Sequence, residues 1–279
     1  MKTVLEILER SADYLRKRGV PEPRLDAEHL LAHALGVQRM DLYLQHDRPL
    51  REEELAPVRE LLTRRGKREP LSYLLGTHPF AGLELEVGPG ALIPRPETEE
   101  LLEQVLARLP TPPTRVLDLG TGSGALALGL QQAYPQAEVH AVDASGEALA
   151  RARANARRLA LPVHFHQGDW LAPVEGPFDL IVANPPYLTE EEWRSAEPEV
   201  REWEPREALV AADEGQADLA TLLRTAPPHL AAGGLLALET GIAQHGTLAR
   251  LAVATASYGE PESVHDLQDR PRFLFLRQN

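Results

Sequence analysis

"VLDLGTGSGALALGL", residues 116–130, joins an apolar run to a helical run through a loop that carries three glycines. Glycine lets the backbone of such a loop come close to a ligand, and it leaves the N–H groups at the helix start available. Ligands of open α/β sheets bind at the carboxyl ends of strands, near the point where the strand order reverses. The stretch therefore predicts an α/β sheet with a binding loop at Gly120–Gly124. Taken alone, the pattern also fits a dinucleotide-binding loop, with Ala125 in its last position, or a tight turn without a ligand.

The chain beyond residue 95 alternates strand and helix patterns. Strand patterns lie at 115–120, 138–143, 163–169, 178–185, 234–240, 262–268 and 273–278. Helix patterns lie at 96–109, 125–134, 146–159, 190–200, 215–230 and 243–256. Alternation of this kind predicts a mostly parallel sheet with helices on both faces. The gap before the last strand is too short for a crossover helix, so we expect seven strands of which the final one runs antiparallel.

The first part of the chain has a different texture. Helix patterns lie at 3–19, 24–36, 51–66 and 70–76, and no strand pattern interrupts them. The stretch "LELEVGPGALI", residues 83–93, alternates apolar and polar residues around Gly-Pro-Gly, which predicts a β-hairpin with that turn. We therefore divide the chain into a small all-α domain (1–75), a β-hairpin connector (76–94) and an α/β domain (95–279).

Composition excludes several classes of protein. The 279 residues include no cysteine, which rules out disulfides, thiolate zinc sites and a cysteine nucleophile. The formal net charge of −13 argues against nucleic acid as a direct partner, and the basic run at 64–68 is expected to be a solvated helix face. The first twenty residues form an amphipathic helix pattern rather than a signal peptide, and no apolar run approaches the ~20 residues that span a bilayer. We expect a cytoplasmic protein without a membrane partner.

Acidic residues follow the strands that surround the glycine loop. Asp118 lies inside the first strand end, and Asp143 closes the next strand, where a carboxylate can accept both hydroxyls of an adenosine ribose. Asp169 ends the third strand and is followed by Trp170. These two are expected beside an adenine ring, although Trp170 is also explained by core packing.

The stretch "VANPPY", residues 182–187, ends the fourth strand, because two prolines cannot supply N–H groups to a sheet. The side-chain oxygen of Asn184 and the carbonyl of Pro185 are two acceptors, which can hold both hydrogens of a planar NH₂ group while Tyr187 packs against its plane. Such bonds return electron density to the nitrogen and align it with an electrophile, for which a sulfonium methyl is suitable. This chemistry requires no metal.

Four motifs in this order, "VLDLGTGSGALAL", "AVDAS", "GDW" and "VANPPY", resemble the class I S-adenosylmethionine-dependent methyltransferases. The form "NPPY" resembles the subset that methylates planar NH₂ groups. Together with "PRLDAEHLLAHALG" (23–36) and the stretch 69–103, which contains "LIPRPETE", the chain resembles the PrmC/HemK family of peptide-chain release factor glutamine N5-methyltransferases over nearly its whole length.

The resemblance implies a seven-stranded, mostly parallel Rossmann-like methyltransferase sheet with one antiparallel strand, preceded by the all-α domain, which would recognise the protein partner. It implies S-adenosylmethionine as cofactor, S-adenosylhomocysteine as product and the glutamine of the Gly-Gly-Gln loop of class-1 release factors as substrate. The implied cofactor-binding residues are Asp118, Gly120, Thr121, Gly122, Ser123, Gly124, Asp143, Asp169, Trp170 and Asn184. The residues implied to hold the glutamine amide are Asn184, Pro185, Pro186 and Tyr187.

Three other functions stay open at this point. A glutamine methyltransferase of a large-subunit ribosomal protein would need the same catalytic motif. An N6-adenine methyltransferase would need a basic recognition region, and a non-catalytic dinucleotide-binding protein would have no use for Asn184-Pro-Pro-Tyr. Arg95 and Glu97 either orient substrate or cofactor, or they cap the following helix. Glu239 and Thr240, at the end of the fifth strand, are expected to satisfy backbone groups.

Overall fold

The computed structural model describes residues 2–279, which form two compact units. The first unit contains the chain up to Thr77 together with Glu197–Trp203. The second contains His78–Ala196 and Glu204–Asn279. The segment Glu197–Trp203 is therefore part of the first unit, although it lies within the range predicted for the α/β domain (95–279).

The first unit is helical, as its patterns predict. Its helices are α1 (Val4–Lys17), α2 (Pro23–Leu35), α3 (Arg39–Leu44), α4 (Glu52–Arg65) and α5 (Leu71–Leu75), with α10 (Pro198–Trp203) added from the later segment. α1 begins at a capping box in which Thr3 and Glu6 satisfy each other's backbone N–H groups. Leu15, Leu30 and Leu31 are fully buried where α1 and α2 pack together.

Ion pairs connect α10 and the residue before it to the rest of the first unit. The guanidinium of Arg65, 5% exposed, lies 2.6 Å from Asp26 and 2.7 Å from Glu199. Arg68 lies 2.5 Å from Glu199 and 2.6 Å from Glu197. Removing one partner of a buried pair such as Arg65–Glu199 would leave a buried charge uncompensated, which is strongly destabilising. The expectation of a solvated basic face at 64–68 is thus wrong for Arg65, whose guanidinium is buried and paired with Asp26 and Glu199.

The second unit contains the sheet. Its strands are β1 (Thr77–Phe80), β2 (Leu83–Glu86), β3 (Arg115–Leu119), β4 (Glu138–Asp143), β5 (His164–Gln167), β6 (Phe178–Ala183), β7 (Leu230–Glu239), β8 (Glu262–His265) and β9 (Pro271–Arg277). Its helices are α6 (Pro96–Arg108), α7 (Ala125–Ala133), α8 (Gly146–Leu159), α9 (Glu190–Ser195), the short turn α11 (Ala212–Gly215), α12 (Ala217–Thr225) and α13 (His245–Ala254). Among residues 2–279, no helix has the length and apolar character needed to cross a bilayer.

Seven of the strands between residues 2 and 279 form one sheet in the order β5-β4-β3-β6-β7-β9-β8. β9 runs antiparallel to both of its neighbours, and the other pairs are parallel. The predicted sheet, with one antiparallel strand, is confirmed. Apolar side chains of both faces are buried under helices, as expected for a sheet covered on two sides.

The predicted β-hairpin exists, but its placement was wrong. β2 does show the alternating burial of Leu83 and Leu85, yet its partner is β1, which precedes it. The turn is Ala81-Gly82, where both residues have positive φ (48° and 76°), the combination that a type I′ hairpin turn requires. The Gly-Pro-Gly stretch at 88–90 therefore lies beyond the hairpin.

The sheet order places the two sequence motifs side by side. β3 and β6 are parallel neighbours, and their last paired residues are Leu119 and Ala183. The glycine loop begins one residue after Leu119, and Asn184 follows Ala183. Both motifs consequently leave the same carboxyl edge of the sheet, where the strand order reverses between β3 and β6.

Candidate active site

The glycine loop is held by the end of β4. The N–H groups of Gly120 and Thr121 both donate to the carbonyl of Val142, at 2.9 and 3.0 Å. Gly120, Gly122 and Gly124 have φ of 70°, 57° and 90°, which residues with side chains rarely adopt. A Cβ on Gly124 would lie 3.2 Å from the Cβ of Ala152, so this glycine also permits close packing against α8.

Asp118 lies under the loop with one carboxylate oxygen engaged and one without a partner. Its Oδ2 accepts from the Thr121 hydroxyl at 2.6 Å and from the N–H of Ala127 at 3.0 Å. Its Oδ1 is buried and has no hydrogen-bond partner among residues 2–279. Burial raises the pKa of Asp118 to about 7. The side chain borders a recess of about 40 Å³, which Ser123 and Asn184 also line.

Asp143 connects the end of β4 to the loop. Its Oδ2 accepts from the N–H of Gly122, and its Oδ1 accepts from the N–H of Ser145, both at 2.8 Å. Burial raises the pKa of this carboxyl. Each carboxylate oxygen has a further acceptor position, so Asp143 can bind hydroxyl groups while it holds the loop.

A cavity of about 450 Å³ opens beside the loop. This volume is in the range of small-molecule sites. A Cβ on Gly120 would lie 3.5 Å from the ring of Trp170, which shows that this ring lies over the loop. Asp218 on α12 is hydrogen-bonded to Trp170. The predicted site residues that line this cavity are Gly120, Gly122, Asp143, Asp169, Trp170, Asn184 and Pro186.

The carboxamide of Asn184 is part of a chain of side chains at the edge of this cavity. Its Nδ2 lies 2.8 Å from the hydroxyl oxygen of Thr98, on α6. The Thr98 hydroxyl donates to Oε2 of Glu239 at 2.7 Å, and the hydroxyl of Tyr187 donates to Oε1 at 3.0 Å. Glu239 is fully buried at the end of β7, and this burial raises its pKa to about 7. The expectation that Glu239 satisfies backbone groups was therefore wrong, since its two oxygens accept from side chains.

Tyr187 differs from its neighbours in position. Its ring lines neither of the two cavities described above. The guanidinium of Arg272 lies 5.7 Å from the ring centroid, and burial raises the pKa of the phenol. The predicted site residues outside both cavities are Gly124, Pro185 and Tyr187. The remaining ones, Asp118, Thr121 and Ser123, border the small recess.

Arg95 and Glu97 make ion pairs instead of capping α6. No side chain caps the N-terminus of this helix. Arg95 lies 2.5 Å from Glu204, whose other oxygen accepts from the N–H of Ile93 at 3.1 Å. Glu97 lies 3.0 Å from Arg270. The first pair fixes the segment that carries Leu92 against the loop after Glu204, and residues of this segment and of this loop line the larger cavity.

Some residues of the site were missed or given another role. Thr98 lies within "LIPRPETE", so it was part of a family motif, but no local pattern connects it with Asn184, from which it is separated by 86 positions. Glu239 ends a strand at the same edge as the loop, which is the signal that could have indicated a role at the site. The cavity residues that lie outside the quoted motifs are Ala148, Pro205, Glu207, Ala208 and Asp218.

Known proteins resemble this chain over most of its length. Residues 6–76 match the family described as PrmC N-terminal domain, and residues 98–197 match the Methyltransferase small domain. The release factor glutamine methyltransferase of Geobacter sulfurreducens is 43% identical over 88% of this chain and 87% of its own length. The protein of the same name from Escherichia coli is 43% identical over 91% of this chain and 92% of its own. The chain belongs to the release factor glutamine methyltransferase family.

Solved structures support the fold of this family member. A methyltransferase from Pyrococcus furiosus aligns with a TM-score of 0.55 at 21% identity, covering 70% of this chain and 89% of that one. A Thermus thermophilus 16S rRNA N2 G1207 methyltransferase, solved with AdoMet and guanosine, aligns with a TM-score of 0.53 at 22% identity, covering 73% and 50%. At these identities the likeness concerns the Rossmann-like methyltransferase fold alone.

Proposed function

We propose that this protein transfers a methyl group from S-adenosylmethionine to the side-chain amide nitrogen (N5) of the glutamine in the Gly-Gly-Gln motif of class-1 peptide-chain release factors. The observation that carries the proposal is the position of Asn184-Pro-Pro-Tyr, which leaves β6 beside the glycine loop and borders both cavities through Asn184. Membership of the release factor glutamine methyltransferase family supports the same substrate.

The residues around the loop fit S-adenosylmethionine. The buried, unpartnered Oδ1 of Asp118 suits a cationic donor such as the ammonium of the methionine part. Asp143 suits the ribose hydroxyls, since both of its oxygens keep an acceptor position after binding the N–H groups of Gly122 and Ser145. Asp169 and the ring of Trp170 border the larger cavity, where they suit adenine.

Asn184 and Pro185 prepare the acceptor nitrogen. The lone pair of a carboxamide nitrogen is delocalised, so this nitrogen is a poor nucleophile. The Asn184 side-chain oxygen and the Pro185 carbonyl accept its two hydrogens, which localises electron density on the nitrogen and directs the lone pair. Bound S-adenosylmethionine would supply the sulfonium methyl. The N–C bond would form as the S–C bond breaks, which would leave S-adenosylhomocysteine, and the nitrogen would release one proton to water.

The composition supports a protein substrate. With 42 acidic and 29 basic side chains, the chain does not have the basic balance with which proteins neutralise phosphates. The all-α unit precedes the sheet and matches the PrmC N-terminal domain, so we assign it to recognition of the release factor.

The decisive experiment incubates the full-length protein with S-adenosylmethionine and a purified class-1 release factor, followed by peptide mapping with mass spectrometry. We expect a gain of one methyl group on the Gly-Gly-Gln peptide. The matched control is the same factor with that glutamine changed to alanine, which should gain nothing. A methyl group found instead on a large-subunit ribosomal protein, or on adenine in nucleic acid, would overturn the proposal.

A further inference from the structure

Three side chains lie behind Asn184, and two of them, Thr98 and Glu239, have no place in the chemistry described so far. Thr98 is 5% exposed, Glu239 is fully buried, and Tyr187 donates to the same carboxylate. Thr98 borders the small recess, whereas Glu239 borders neither cavity. Groups that contact neither ligand can still affect the reaction if they fix the orientation of a group that does.

The hydrogen-bond donors of Asn184, Thr98 and Glu239 can be counted. A threonine hydroxyl has one hydrogen to donate, and an ionised carboxylate can only accept. The 2.7 Å separation of Thr98 Oγ1 from Glu239 Oε2 therefore uses the hydrogen of Thr98. The hydroxyl oxygen then offers only acceptor positions to Asn184, 2.8 Å away, and this selects the NH₂ end of the carboxamide.

The opposite end of the same carboxamide is its oxygen. A carboxamide is planar, so fixing its NH₂ group on Thr98 turns the oxygen away from Thr98. With the opposite assignment, Asn184 would direct two N–H donors at the acceptor amide, where the proposed chemistry needs an acceptor.

We propose that Glu239, acting through the Thr98 hydroxyl, sets the orientation of the Asn184 carboxamide, so that its oxygen faces the amide to be methylated. Glu239 and Thr98 are then positioning residues, because neither touches the reacting atoms. The inference rests on the proposed function for the role of Asn184, but the orientation itself can be measured without any methyl transfer.

The orientation of the Asn184 carboxamide depends on whether Glu239 is ionised. Burial raises the pKa of Glu239 to about 7, and the negative charge of Glu97 also raises it. The hydrogen bonds from Thr98 and Tyr187 and the positive charge of Arg272 lower the pKa, but they do not offset the burial. A protonated Glu239 can donate to Thr98, and the Thr98 hydrogen is then free to turn toward Asn184 and select the carboxamide oxygen. Protonation therefore favours the unproductive orientation, and activity should fall as the pH decreases through about 7.

The first test compares Thr98→Val with Thr98→Ser. Valine has the shape of threonine without the hydroxyl, whereas serine keeps the hydroxyl. We expect kcat to fall by about 10- to 100-fold in Thr98→Val, as misplaced catalytic groups cause, and to stay within about 3-fold of wild type in Thr98→Ser. The dissociation constant of S-adenosylmethionine should change little in both. Equal rates in the two variants, or a loss of cofactor affinity that matches the loss of rate, would overturn the inference.

The second test measures the pH profile of kcat at saturating S-adenosylmethionine, which reports ionisations of the cofactor-bound enzyme. In wild type we expect an acidic limb near pH 7. Glu239→Gln, which has nearly the same size, should lower the rate and remove this limb. Burial also raises the pKa of Asp118 to about 7, so cofactor binding is measured separately across the same pH range to keep the cofactor saturating. An unchanged limb in Glu239→Gln would assign the titration to another group and refute the role of Glu239.

A third measurement separates this inference from the proposed function. In nitrogen-labelled protein, the side-chain NH₂ signal of Asn184, assigned with Asn184→Asp, should be protected from hydrogen exchange in wild type and Thr98→Ser, and unprotected in Thr98→Val. If wild type methylates no release factor but shows this pattern, the substrate proposal fails and the orientation stands. Equal protection in all three proteins would refute the orientation whatever the substrate is.

Discussion

Asp118 and Glu239 are two fully buried carboxylates in one sheet, and burial raises the pKa of both to about 7, yet their surroundings differ. Asp118 receives its hydrogen bonds from Thr121 and Ala127, which follow it within nine positions. Glu239 receives its bonds from Thr98 and Tyr187, which are 141 and 52 positions away.

The two carboxylates also differ in whether both of their oxygens already accept a hydrogen bond. One oxygen of Asp118 has no partner among the described residues, whereas both oxygens of Glu239 accept a hydrogen bond. A buried acceptor without a partner is unfavourable unless a ligand supplies the donor. Asp118 is therefore suited to binding a ligand, and Glu239 to orienting other side chains. Variants of each group should separate affinity from rate.

Asn184→Ala is expected to have the largest effect. Asn184 borders the same recess as Asp118, and its carboxamide is hydrogen-bonded to Thr98, which in turn binds Glu239. Loss of one preorganised polar contact to a reacting group costs about 10²–10³-fold in rate. We expect this loss in single-turnover methyl transfer, with little change in the dissociation constant of S-adenosylmethionine. If the affinity for the cofactor falls by the same factor, then Asn184 holds the cofactor and not the acceptor.

The raised pKa values also predict how stability depends on pH. A carboxyl whose pKa rises from 4.5 to about 7 on folding binds its proton more tightly in the folded protein, so its contribution is complete below 4.5 and is lost as the pH rises through about 7. For Glu239 this contribution is about 3 kcal/mol. The free energy of unfolding of Glu239→Gln should therefore improve, relative to wild type, between pH 4.5 and about 8. The free energies of unfolding can be measured by urea titration at each pH. A difference between Glu239→Gln and wild type that stays constant with pH would contradict the raised pKa of Glu239.

The surroundings of Asp118 were largely predictable because they are local. A strand, a glycine loop and a helix in succession place the Asp118 side chain, the Thr121 hydroxyl and the start of α7 together whatever the rest of the chain does. Alternation of strands and helices predicted the sheet for the same reason. The order of strands beyond β7, with β9 inserted before β8, follows from non-local pairing that no periodicity reports.

The surroundings of Glu239 could not be predicted in the same way. Thr98 reaches Glu239 only after α6 has packed against the sheet, and the family motif that contains Thr98 does not name its partner. The misplaced hairpin has a similar origin, because Ala81 adopts a positive φ that sequence patterns expect of glycine or asparagine. The Thr98–Glu239 contact and the positive φ of Ala81 both depend on tertiary packing, which the local sequence does not report.

Asp118→Asn should weaken binding of the cofactor and leave the acceptor site intact. Asparagine would place an NH₂ group where one of the two carboxylate oxygens lies, and a hydrogen bond to a charged partner is worth about 1.5–3 kcal/mol. We expect the dissociation constant of S-adenosylmethionine to rise by about 10- to 100-fold in titration calorimetry. Glu239→Gln serves as the matched control, with an affinity within about 3-fold of wild type. Equal losses of affinity in the two variants would remove the distinction between the two carboxylates.

Thr121→Val is expected to have the smallest effect, and it is the counterpart of Thr98→Val. The Thr121 hydroxyl donates to Oδ2 of Asp118, and without it the ionised carboxylate is less favourable, so its pKa should rise further. Because the unpartnered Oδ1 remains, we expect cofactor affinity to fall by only about 3- to 10-fold, with kcat at saturating cofactor nearly unchanged. Thr121→Ser, which retains the hydroxyl, should restore the affinity. A loss of kcat in Thr121→Val as large as that in Thr98→Val would mean that both hydroxyls act on the same step, and the separation of binding from orientation would fail.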